Sequence, residues 1–231
     1  MIINLKSPVP SSSVENLTYA FISNAIFRKK HRLIFQRASQ RNGISIFSSY
    51  DEDGTTYFGL LGRTSNQIKF ATNLLNKFAN FEYAERDLTN AVKALRDSFD
   101  SISEQGLSAQ LNYYAATTTK QGPFLYSKKE ISAALDKASL EGLTKFYKEY
   151  LSSIYVDIFS HGVEKPDKII NFAKDVREII GQTNQFDQWR LVDNFKVMPG
   201  TGKIKNISTP KNGVGICLLY TSDAADEWRS G

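Results

Sequence analysis

Two histidines, His31 and His161, are the natural starting points for chemistry in this chain. A zinc hydrolase needs two His on one helical face with a carboxylate placed as base, as in His-Glu-x-x-His or its inverted form. His31 is followed by Arg32, Leu33, Ile34 and Phe35, none of which is a ligand, and its basic neighbours mark it as a surface residue. His161 stands next to Gly162 and reads as a strand-end residue. Nucleophilic catalysis has no better footing. There is no Gly-x-Ser-x-Gly elbow, and the single cysteine, Cys217, lies in an atypical tail. "GLLGR" falls in a strand and "GTGK" has no helix after it, so neither meets a phosphate-loop or dinucleotide pattern. Asp51, Glu52 and Asp53 cluster at a turn, where carboxylates satisfy amides or face water, without the spacing of a calcium loop. Tyr113 and Tyr114 read as packing residues. The expectation is no catalytic residue, no metal ligand set and no cofactor in this chain.

The elements around these residues are clearer. "MIINLKS" alternates as a strand and exits at Pro8 and Pro10. Ser12 with Glu15 is a capping-box signature, and Val14, Leu17, Phe21 and Ala25 follow at helical spacing, widened by Ile22 and Ile26. That helix extends to about Arg41, before Asn42-Gly43. "ISIFSSY" and "TTYFGLLGR" form a hairpin across Asp53-Gly54. Amphipathic helices follow, on Ile68, Ala71, Leu75 and Phe78, and on Leu88, Val92, Leu95, Phe99 and Ile102. A third pattern runs through Leu107, Leu111 and Tyr114. Ser127 and Glu130 cap a short helix bearing Ile131 and Leu135, and Leu140, Leu143, Phe146 and Tyr150 mark the next. "IYVDIFS" returns to strand. Pro166 opens a helix lined by Ile169, Ala173, Val176 and Ile180, which Gly181 ends. Strand, helix, hairpin, several helices, strand, helix is the order of an α+β domain: a two-layer sandwich, mostly antiparallel, with helices on one face.

Composition narrows the class. Hydrophobic residues at 41% and charged residues at 23% describe an ordinary globular protein with a real core. The net charge of +5 is scattered. Its densest cluster, Arg28-Lys29-Lys30-His31-Arg32, reads as a solvated helix face rather than a nucleic-acid patch. No stretch approaches the roughly 20 apolar residues of a membrane span, and Met1 leads into a strand-like segment rather than a signal peptide.

The ending is of a different kind. Cys217 to Glu227, Cys-Leu-Leu-Tyr-Thr-Ser-Asp-Ala-Ala-Asp-Glu, resembles the in-frame translation of a transposon sequencing adapter. On that reading residues 217–231 are a non-native tail, the native chain stops near Gly215 or Ile216, and the open reading frame is truncated on its C-terminal side. The native part then has no cysteine, which excludes disulfides and thiolate metal sites.

The order of several weak motifs carries a resemblance. A capped helix leads into "HRLIFQRASQRNGISIFSSYDEDGTTYFGLLGR", followed by "ERDLTNAVKALRDSFDS", "QLNYYAATTT" and "LTKFYKEYLSSIYVDIFSHGVEKPDKIINFAKDV". Residues 1–215 resemble a non-catalytic domain of the M16 metallopeptidases, most of all the third domain of the insulysin and pitrilysin branch. There a strand with Leu-x-His-Gly or a variant, here Ile158-Phe159-Ser160-His161-Gly162, precedes the closing helix. The resemblance implies the LuxS/MPP-like metallohydrolase fold and a clamshell zinc endopeptidase built of homologous α+β domains around a peptide chamber. It also implies that zinc sits in the full-length parent, on an inverted His-x-x-Glu-His motif of its first domain. The helix here, around Val14 to Phe27, lacks those ligands, so no catalytic residue carries over.

The domains are then residues 1–185 as the M16-type domain, 186–216 as a connecting segment and the start of a truncated next domain, and 217–231 as the tail. Phe186, Trp189, Leu191 and Phe195 are candidate interdomain contacts, with packing on their own domain as the alternative. The implied partners are the other domains of the protease and its peptide substrate, with no nucleic acid and no membrane span. Bacterial relatives imply the periplasm. Two other readings stay open: an inactive paralogue acting as a subunit or partner-binding protein, and an unrelated α+β module that binds peptides at a sheet edge. An adapter translation has no evolved complement on the domain and little apolar area to bury. Deleting Cys217 to Gly231 is therefore expected to leave the melting temperature unchanged, and a clear drop in a thermal melt would show that the tail belongs to the fold.

Overall fold

The computed structural model describes residues 1–50, 55–62, 66–101, 126, 128–162 and 165–181. Its sheet is built around β1 (Ile2–Lys6), which pairs with β3 (Thr55–Leu61) on one side and β4 (Tyr155–Phe159) on the other. β2 (Ser45–Tyr50) pairs with the far side of β3, so the order is β2-β3-β1-β4 and every pairing is antiparallel. The alternation of β1 sets the faces. Ile3 and Leu5 are fully buried, while Ile2, Asn4 and Lys6 point to the other face and are half-buried.

Register aligns the rows. Ile3 lies between Phe58 and Ile158, and Leu5 between Thr56 and Val156, on the helix-covered face. On the opposite face Ile2 lies between Gly59 and Phe159, and Gly59 lies opposite Phe47. The Phe47 ring covers Gly59 so closely that a Cβ there would come within 1.9 Å of it. The glycine in "FGLL" is thus a seat for an aromatic ring rather than a turn residue.

The helices among the described residues are α1 (Val14–Asn42), α2 (Gln67–Ala79), α3 (Glu85–Ser101), α4 (Lys128–Asp136), α5 (Leu140–Ser152) and α6 (Pro166–Ile180). The expected cap of α1 moves by one residue. Pro10–Ser12 forms a short 3-10 turn in which the Ser12 hydroxyl donates to the Val9 carbonyl at 2.7 Å. Ser13 therefore becomes the N-cap, its Oγ accepting from the Asn16 amide at 3.1 Å. At the other end Gly43 takes the left-handed conformation, φ 61°, that glycine adopts at no steric cost.

Helix α1 contacts β2, α3, α4 and α5. Leu17, Ala20, Ile22, Ser23, Ile26 and Phe27 are all buried, which is wider than a single stripe. Val14, Phe21 and Ala25, expected to lead the stripe, are half-buried at its margin. Helix α2 packs on α6, whose buried residues are Phe172, Val176 and Ile180. Ala173, expected in that stripe, is exposed. One residue's rotation of about 100° separates it from Phe172, and the larger side chain takes the inward place.

The hairpin strands are as expected, but residues 51–54 of its turn lie outside the described residues, as do Ser127 and the pattern at Leu107, Leu111 and Tyr114. The Tyr150 side chain ties helix α5 to the sheet. The buried Tyr150 hydroxyl lies 2.9 Å from Thr56 Oγ1 and 3.3 Å from the Leu5 carbonyl oxygen, so it reaches β3 and β1 together. Tyr150→Phe removes these bonds while keeping the ring's packing. It is expected to cost about 1–2 kcal/mol in urea denaturation, and a loss inside experimental error would show that the hydroxyl contributes nothing.

Candidate functional site

The concavities among the described residues include the following two. One is enclosed between α1, α5 and the sheet and lined by Ser23, Asn24, Phe27, Thr56, Phe58 and Tyr150. It holds about 10 Å³, the space of one water at most. Its tyrosine neighbours are structural. Tyr147 donates to the Phe78 carbonyl, and Ser23 and Tyr83 share a hydrogen bond of 2.5 Å. Burial pushes the Tyr83 phenol well up, so it keeps its proton at neutral pH.

The second is a surface cleft of about 390 Å³ between α1 and α2, lined by His31, Asn73, Asn76, Lys77, Asn80 and Phe81. Local geometry builds it. Phe27 and His31 are one helical turn apart on α1, so their rings meet edge to face, with centroids 4.6 Å apart. The Phe27 ring is anchored in the core against Phe58 and Phe78. Phe81, just beyond α2, contacts both Phe27 and His31 at 5.3 and 5.6 Å. Asn73 and Asn76 on α2, and Asn80 at its C-cap, follow at helical spacing on the side opposite the buried Ala71, Leu74, Leu75 and Phe78.

His31 is therefore not the surface residue that its basic neighbours suggested. It is half-buried, and its Nε2 is buried without a hydrogen-bond partner among the described residues. Lys30 lies 5.0 Å above the Phe81 ring. It pairs with Asp87 at 2.7 Å and donates to the Glu82 carbonyl at 3.1 Å. Burial lowers the His31 pKa, and Lys77 and then Lys30 lower it further. Arg28, Lys29 and Arg32 are exposed, as a solvated face requires.

His161 follows β4 and is exposed, as a strand-end residue. Phe186, Trp189, Leu191 and Phe195 lie outside the described residues, together with Asp51, Glu52, Asp53, Tyr113, Tyr114, "GTGK" and the tail from Cys217. Among the described residues no group of three or more His, Cys, Asp or Glu is placed to hold a metal ion, and no helix is long and apolar enough to cross a membrane. The cleft's α2 residues were not singled out from sequence. Their signal was the Asn spacing on a polar face, which sequence alone does not separate from an ordinary solvated face.

An antiparallel sheet with its helices on one face defines an α+β fold, and solved peptidase structures share it. The chain is similar to part of pitrilysin, with a TM-score of 0.66 at 17% identity over 78% of this chain and 19% of that one. It is also similar to a predicted insulinase family protease from Yersinia pestis, with a TM-score of 0.53 at 10% identity, covering 78% of this chain and 43% of that one. A conserved protein from Enterococcus faecalis V583 gives 0.55 at 13% identity, covering 79% and 47%. The chain thus spans about a fifth of pitrilysin and under half of the other two. No protein-family model and no curated protein sequence matches it.

The histidine makes the fold sensitive to acid. Its folded pKa lies below the usual 6.5, so the unfolded chain takes up a proton first as pH falls. The stability that neutral His31 contributes is present above pH 6.5 and is lost as pH falls from there through its folded pKa. Denaturation midpoints are expected to drop from pH 7 to 5.5, and His31→Phe is expected to flatten that slope. Equal slopes in the two proteins would assign the acid sensitivity to other groups.

Proposed function

We propose that this chain is a non-catalytic domain of a longer zinc-dependent endopeptidase of the insulinase and pitrilysin type, contributing to the wall of its peptide chamber. The observation that carries the reading is the fold similarity to pitrilysin over 78% of this chain at a TM-score of 0.66. The short span of pitrilysin covered supports a parent of several domains. Residues 14–27 of α1, where the resemblance would put an inverted zinc motif, contain no histidine and only one acidic residue, Glu15. The donor set does not fit zinc, so no hydrolytic step runs through these residues. Zinc and the water it activates belong to another domain of the parent, and this domain contributes shape and surface. Phe186, Trp189, Leu191 and Phe195 are the proposed contact with the neighbouring domain.

The genomic DNA upstream tests the parentage. A His-x-x-Glu-His motif in the same open reading frame is expected, and a complete frame without one favours an inactive relative that acts as a subunit. The polypeptide itself is expected to bind no stoichiometric zinc by native mass spectrometry and to leave a mixed peptide library intact. Chelator-sensitive hydrolysis by the purified chain would overturn the non-catalytic assignment.

A further inference from the structure

We propose that the cleft between α1 and α2 is a binding site for a carboxylate or phosphate oxyanion, seated between the Lys77 ammonium, His31 Nε2 and the side-chain amides of Asn73, Asn76 and Asn80. The inference stands independently of the protease reading. Its volume, about 390 Å³, falls within the range of small-ligand sites, roughly 300–1,000 Å³.

The charge inventory selects the ligand. Among the described residues no carboxylate pairs with Lys77. Asp87 on α3 is taken by Lys30, and the Glu82 carboxylate, next to Phe81, is exposed to solvent. Lys77 from α2 lines the cleft beside His31, and its ammonium is the cleft's cationic group without a carboxylate partner among the described residues.

Hydrogen-bonding capacity points the same way. A buried polar atom without a partner is costly, and His31 Nε2 is one. In the tautomer with a proton on Nε2 it is a donor lacking an acceptor, which an oxyanion supplies. Asn76 and Asn80 each use one amide donation, to the Thr72 and Asn76 carbonyls, which leaves a second N–H on each. A cation would be repelled by Lys77. A neutral ligand would leave Lys77 without a counter-charge. The aromatic surface of Phe81 and the His31 ring gives the cleft one apolar wall, which suits an anion carried on a larger organic body.

An NMR titration of the whole chain tests this, using inorganic phosphate in one arm and N-acetylglutamate amide in the other, at low ionic strength. The His31 ring signals are read, with exposed His161 as the internal reference. Saturable shifts of His31 alone are expected, with an apparent Kd on the order of 1 mM, as suits a few partly screened contacts. Response to phosphate only assigns free or esterified phosphate as the ligand, and response to the glutamate derivative assigns an acidic side chain. Lys77→Gln is expected to weaken binding about five-fold or more, and Lys77→Arg to retain it. The Phe27 and Phe81 ring-current shifts on His31 report whether each variant keeps the fold. Parallel, non-saturating shifts of both histidines, or unchanged binding in a folded Lys77→Gln variant, would overturn the proposal.

Discussion

Strand β1 is five residues long and has a neighbour on each side, so its backbone amides and carbonyls must find partners from distant parts of the chain. One partner, β3, arrives with the hairpin. The other, β4, comes only after the five α-helices that the described residues place before it. No local segment makes this domain by itself, because the central strand is complete only when its far neighbour returns. The Tyr150 hydroxyl acts at the same junction, reaching Leu5 from 145 residues away. Burial of Ile3 and Leu5 is worth about 1.5–3 kcal/mol each and fixes which face of the strand the helices cover. A one-residue slip would put Ile2, Asn4 and Lys6 against the core instead, with a lysine to desolvate.

The same requirement shapes α1. A helix that contacts β2 and three other helices needs apolar residues over much of its circumference, and α1 has them from Leu17 to Phe27. Beyond Phe27 its neighbours change and its residues do too: Arg28, Lys29 and Arg32 are exposed. His31 stands at that transition. The Phe27 ring is held in the core by Phe58 and Phe78, and its outer edge meets the His31 ring. The packing that stabilises the domain thereby also sets the position of its most distinctive polar group.

The similarity to pitrilysin and the cleft chemistry bear on different levels of function. A shared fold at 17% identity describes architecture, and function resides in the side chains that a particular sequence places on it. Here the polar face of α2 and the end of α1's buried stretch meet in a hollow lined by His31, Lys77, three asparagines and Phe81. In the proposed protease such a hollow would lie on a domain without zinc chemistry, where binding and positioning are what a surface can contribute.

Periodicity determined much of this protein. The alternation of "MIINLKS", the hairpin strands, the helical stripes of α2 and α5, and the Pro166 and Gly181 ends of α6 are local patterns, and each reports which face of one element is apolar. Composition and spacing also set the expectation of a chain without a zinc motif. Only the tertiary structure decided what depends on two elements meeting. The placement of β1 between β3 and β4 and the choice of Phe172 over Ala173 follow from packing between segments, whereas the shift of the α1 cap from Ser12 to Ser13 follows from the local 3-10 turn before it. His31 is the sharpest case. Its basic neighbours are local and suggest a surface position, whereas Phe81 and Lys77, which make it half-buried and hold its pKa down, come from the far side of a hairpin and another helix. A run of sequence cannot show which distant side chains will form its dielectric surroundings, and for a titratable ring those surroundings set its behaviour.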